Sequence, residues 1–89
     1  MNFKITNNPK YIKDIKRFTT AIETVNDGKR KAYFTKVFAE FISLAQRIDN
    51  NHDSTLNQKI EPTQIRDDVK QLQDLRYQLD QLSKDAINS

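Results

Sequence analysis

The residues able to do chemistry are few and poorly placed for it. His52 is the only histidine. It stands in a polar run with Asp49 and Asp53, and that spacing matches no defined metal site. Zinc needs ligands held in a fixed tetrahedral set, and a calcium loop needs a ladder of oxygen donors. Ser43, Ser54, Ser83 and Ser89 have no base at a patterned interval, so nothing activates a hydroxyl as a nucleophile. Asp67-Asp68 reads as the acidic first turn of a helix, where the dipole favours carboxylates, and not as an acid–base pair. There is no cysteine, which removes thiol chemistry, disulfides and cysteine-held metals. The one glycine, Gly28, leaves no room for a glycine-rich phosphate loop. The expectation is a non-enzymatic chain with no catalytic residue, no cofactor and no metal.

Binding is the remaining chemistry, and charge is its main signal. Lys29-Arg30-Lys31 opens a helix, where the dipole disfavours cations, so fold stability alone would prefer acids there. A cationic cluster beside exposed backbone N–H groups suits a phosphate or an acidic side chain. The bland alternative is a solvated basic turn. Lys10, Lys13 and Arg17 project from the preceding helix, and Lys36 and Arg47 from the same helix as the cluster, which makes a candidate anion or nucleic-acid contact. Residues 1–49 carry ten Lys/Arg against five Asp/Glu, and residues 50–89 five against seven, so a balance of +5 faces one of −2. Such halves attract each other, within one chain or between chains. A second candidate is an exposed stripe on the last helix, Tyr77 with Arg66, Lys70 and Lys84, since tyrosine is enriched among interface hot spots. Asp67, Asp74 and Asp85 mark the opposite flank of that helix.

The elements that position these residues follow from apolar spacing. Asn8 caps and Pro9 starts a first helix over 9–26, with Tyr11, Ile15, Phe18, Ile22 and Val25 on one side. Phe3 and Ile5 alternate in a short arm, 1–7. Asn26-Asp27-Gly28 forms a joint, with Gly28 ending the first helix and the chain folding back. The second helix, 30–49, has the broadest apolar face: Phe34, Val37, Phe38, Phe41, Leu44, Ala45 and Ile48, widened by Tyr33 and Ile42. That breadth makes it the central helix. Residues 50–62, dense in Asn, Asp and Ser, read as a polar loop. The third helix, 63–86, carries Ile65, Val69, Leu72, Leu75, Leu79, Leu82 and Ala86. Longer than its partners in this reading, it overhangs them; either its leucine seam becomes a dimer contact, or the helix simply continues beside residues 1–7 or frays at its end.

The whole is read as one all-α domain: a three-helix bundle made of a helical hairpin plus a long C-terminal helix, dimerising through the third helix. The chain has 89 residues, 36% hydrophobic and 30% charged, so its core is thin and a homodimer would supply missing burial. No apolar run approaches the roughly 18 residues of a membrane span, and the start MNFKITNNPK lacks the apolar segment of a secretory signal, so a cytoplasmic protein with no membrane contact is expected. The Lys- and Asn-rich, Cys-free composition resembles small proteins of bacterial or phage origin. The leading functional reading is a protein–protein interaction module, a regulator or inhibitor whose partner the sequence does not name. The alternatives are an accessory nucleic-acid binder with weak, salt-dependent contacts, and a structural or assembly component. A helix-turn-helix is disfavoured because no exposed helix face carries a base-reading set.

Overall fold

The computed structural model describes the backbone of residues 4–56 and 62–88, and the side chains of 4–50 and 66–87. A short 3-10 turn, Ile5–Asn7, precedes three helices: α1 (Pro9–Thr24), α2 (Gly28–Leu56) and α3 (Pro62–Asn88). The fold is all-α, as the apolar spacing indicates. α1 and α2 form a hairpin, and the long C-terminal helix packs on both. Among the described residues no helix is long and apolar enough to cross a membrane.

Local signals set the helix ends. The Asn8 side chain accepts from Lys10 N at 2.9 Å, and Pro9 takes the first helical position, where its missing N–H costs nothing. α1 stops at Thr24, two residues before the expected end. The Thr24 hydroxyl donates to Ala21 O (2.7 Å), Val25 N donates to Ile22 O (3.1 Å), and Val25 turns extended. These bonds satisfy carbonyls that a longer helix would have used. Gly28 therefore does not end α1. It begins α2, capped by Asp27, whose Oδ1 accepts from Lys29 N (2.9 Å) and Arg30 N (3.3 Å).

Two boundaries differ from the sequence reading, and they are linked. α2 runs to Leu56, through seven residues expected to be loop. No glycine or proline falls between Lys29 and Glu61, and Asn, Asp, Ser and Thr each cost only about 0.5 kcal/mol in a helix interior. A helix already nucleated by a buried aromatic face carries on across them. Its 29 residues exceed the 27 of α3, so α3 is not the longest helix. Because α3 starts at Pro62, Asp67-Asp68 falls in its second turn and not its first.

The core gathers between all three helices. Phe18, Phe34, Phe41 and Leu79 are its largest fully buried side chains. Phe18 meets Phe38 and Phe41 edge-on, at 6.2 and 6.0 Å between ring centroids, and Tyr11 stacks on Phe41 at 5.7 Å. Later residues of α1 thus lie beside earlier residues of α2, and the two run antiparallel. Each such aromatic adds about 0.5–1.5 kcal/mol beyond its burial. Leu72, Leu75 and Leu79 close the core from α3. Leu72, Leu75 and Leu79 of the leucine seam are thus buried within one chain, while Leu82 and Ala86, at its C-terminal end, are only half-buried.

Ion pairs line the edges of this core. Asp14 is buried and accepts from Arg76 Nε (2.7 Å) and Arg17 Nη2 (3.0 Å), while Arg17 also pairs with Asp80 (2.6 Å). These contacts join α1 to α3 as parallel neighbours. On the other side Arg47 Nη2 donates to buried Asp68 at 2.6 Å and joins α2 to α3. Asp49 accepts from Ile5 N (2.7 Å), Thr6 N (3.2 Å) and Thr6 Oγ1 (2.8 Å), so a carboxylate on α2 caps the 3-10 turn and holds the arm down. The result is a slender body of 47 × 22 × 15 Å, about as long as its longest helix.

Candidate functional site

Geometry sorts the charged residues into spent and available. Arg17, a candidate anion contact, is spent. Burial of its guanidinium works against the charge, but the carboxylates of Asp14 and Asp80 outweigh it and raise its pKa above the ordinary value. Arg47 and Arg76 are likewise tied into the inter-helix seams. Lys10, Lys13 and Lys36 are exposed, and their side chains make no ion pair among the described residues.

The Lys29–Lys31 cluster divides. Successive helical residues turn by about 100°, so three in a row cannot face one way. Lys29 and Arg30 border a hollow of about 850 Å³ at the hairpin end, and Lys31 does not. The backbone N–H groups of Lys29 and Arg30, which would have faced an anion, are already taken by Asp27. What the corner offers a ligand is side-chain charge.

The hollow lies between the α1–α2 joint, the first turns of α2 and the last turns of α3. Val25, Phe34 and Leu82 give it an apolar floor, and Tyr33, Lys29, Arg30 and Asp85 form its rim. It exists because the apolar stripe of α1 stops at Val25 while the seam of α3 continues to Leu82 and Ala86, leaving part of that seam without a helix to cover it. Tyr33 was expected to widen the core face. It is 54% exposed instead, a large apolar ring at the rim of an apolar hollow. A second hollow, about 430 Å³, lies on the other side of the last turns of α3, against α1. Lys16, Lys84, Ser83 and the exposed Ile87 border it, and Thr24 borders both.

The α3 stripe is a different kind of surface. Arg66, Lys70, Tyr77 and Lys84 are all exposed, within about 40° of one another on a helical projection and opposite the buried Leu75 and Leu79. Tyr77 is 66% exposed. The stripe is convex and neither hollow includes Tyr77. Only Lys84 belongs to both surfaces.

Sequence reasoning passed over Tyr33, Val25, Leu82 and Asp85 as site residues. The available signal was the unequal reach of the first and third apolar stripes. Of the serines, Ser43 is exposed and Ser83 is buried, with no hydrogen-bond partner for its hydroxyl among the described residues. The side chains of His52, Asp53, Ser54 and Ser89 lie outside the described residues. Asp49, the third member of the His52 run, has its carboxylate engaged by the arm. In comparisons with known proteins, no family model, no curated protein and no solved structure matches this chain.

Proposed function

We propose that this chain is a non-enzymatic interaction module that docks a protein partner through its hairpin end and acts as a regulator or inhibitor by occupying that partner's surface. The observation that carries this reading is the hollow of about 850 Å³, with an apolar floor and a rim of Tyr33, Lys29 and Arg30. A volume of roughly 300–1,000 Å³ lined by apolar groups with a few polar ones is the usual make-up of a binding site. Tyrosine and arginine are the residues most often found to dominate binding energy. Polyanion binding is the weaker reading, because Arg17 and Arg47, two of the cations it needs, are held by aspartates.

The test is capture of a partner from the source cells by the immobilised chain and two double variants. Lys29→Glu with Arg30→Glu should abolish capture while the melting temperature holds, since both side chains are exposed and outside the core. Tyr77→Ala with Lys70→Glu should leave capture intact. The reverse pattern would move the surface to the α3 stripe and discard the hairpin end. Retention of nucleic acid and no protein would discard the interaction module altogether.

A further inference from the structure

The two hollows meet at Thr24 and flank one ridge, the last turns of α3. Their charge is lopsided once internal commitments are removed. Lys29 and Arg30 border the larger hollow, Lys16 and Lys84 the smaller, and none of the four side chains makes an ion pair among the described residues. Three acids border the same hollows. Asp27 is spent on the N–H groups of Lys29 and Arg30, and Asp80 is paired with Arg17. Asp27 keeps its charge in those bonds, so Asp27 and Asp85 stand against four cations, a balance of +2.

Apolar surface accompanies that charge. Ile87 is 74% exposed beside the smaller hollow, and Tyr33 is 54% exposed beside the larger. The Ser83 hydroxyl, on a residue only 3% exposed, borders the smaller hollow without a hydrogen-bond partner.

We infer that the hairpin end is a docking site for an acidic protein segment bearing a large apolar anchor residue. The inference rests on the proposed docking function and adds the chemistry of the partner. The anchor enters the larger hollow against Val25, Phe34 and Leu82. Carboxylates flanking the anchor meet Lys29 and Arg30 on one side of the ridge and Lys16 and Lys84 on the other. A nucleic-acid strand matches the charge and its bases can stack on Tyr33, but a backbone-tracking groove needs a run of free cations, and Arg17 and Arg47 are held by aspartates.

The experiment is a titration of the isotope-labelled full chain, followed by amide chemical shifts. The probe is a short synthetic peptide with a central tryptophan flanked by glutamates. Its controls have alanine in place of tryptophan or lysine in place of glutamate, and a single-stranded oligothymidine is a further control. The expected result is saturable shifts confined to residues 16–21, 24–34 and 80–87. Affinity should fall about tenfold or more, equivalent to about 1.4 kcal/mol, without the tryptophan, and vanish with lysines. Lys29→Glu with Arg30→Glu should weaken the acidic peptide by a similar factor. Lys84→Glu, on an exposed side chain away from the cap of α2, provides a second variant should the first disturb the fold. Equal binding of the alanine peptide or of the oligonucleotide would reduce the effect to bulk charge and overturn the inference. So would the absence of saturable shifts at these residues. Partner capture through Lys29 and Arg30 combined with silence toward the acidic peptide would keep the docking function and reject the acidic anchor. Failure of capture would reject the docking function itself.

Discussion

At the scale of single residues, the polar core edge is where this chain is most exposed to mutation. Asp14 is buried between two arginines that are themselves about half exposed, so water can take up either cation once freed. Removing one arginine leaves the carboxylate with the other. Removing both leaves a buried charge with no partner. Arg17→Ala and Arg76→Ala should therefore each cost about 1 kcal/mol in denaturant unfolding, and the double variant at least about 3 kcal/mol. Strict additivity would show that Asp14 does not depend on the pair. Tyr11 gives a pH signature. Burial, with a smaller contribution from the charge of Asp49, raises its pKa above the ordinary 10.0. The folded state thus holds a proton that the unfolded state has lost. The stabilising contribution is complete below 10.0 and is lost as pH rises through the folded-state value. Tyr11→Phe should flatten the alkaline fall of the denaturation midpoint relative to the parent chain, and parallel curves would contradict that assignment. At this scale the buried Leu72, Leu75 and Leu79 and the exposed Tyr77 were legible in the sequence, because spacing alone places them. The pairing of Arg76 with Asp14, 62 positions away, was not, since it depends on the register between helices. The same holds for Arg47 with Asp68, a different aspartate from those expected on the acidic flank.

At the scale of elements, the three amphipathic stripes were legible because each repeats over several turns. The caps were partly so: Asn8-Pro9 acts as its residue types suggest, while Gly28 starts a helix and does not stop one. The extension of α2 through 50–56 was hidden, because a polar composition suits both a loop and an exposed helix. The role of Gly28 leads to a simple prediction. A Cβ at Gly28 would meet nothing within 4 Å, and its φ lies outside the left-handed region. Gly28→Ala should then stabilise the chain by about 0.4–1 kcal/mol through the unfolded state alone. Calorimetry would register this as a higher melting temperature, and a lower one would mean that the joint needs glycine. Asn8→Ala, by contrast, should cost about 1 kcal/mol, because the side chain satisfies an otherwise orphaned N–H.

At the scale of the molecule, unequal stripe lengths shape both ends. α1 has 16 residues against 29 and 27 for its partners, so it cannot cover the whole α2–α3 pair. The 3-10 turn, held by Asp49, packs on α1 and α2 near the start of α1. At the other end, where α1 stops at Thr24, the seam of α3 is left beside an open hollow. The charge asymmetry of the two halves was legible, and part of it is settled inside the fold by Arg17 with Asp80 and Arg47 with Asp68. The hollow itself was not legible, because it arises from where two helices end relative to each other. The central claim is that a protein partner sits at that end. A photo-reactive phenylalanine analogue placed at Tyr33, and separately at Tyr77, in the source cells tests this most directly. Irradiation should give one discrete protein adduct from position 33 that disappears when Lys29 and Arg30 are reversed to glutamate, and none of comparable yield from position 77. A protein adduct from 77 with none from 33 would contradict the account.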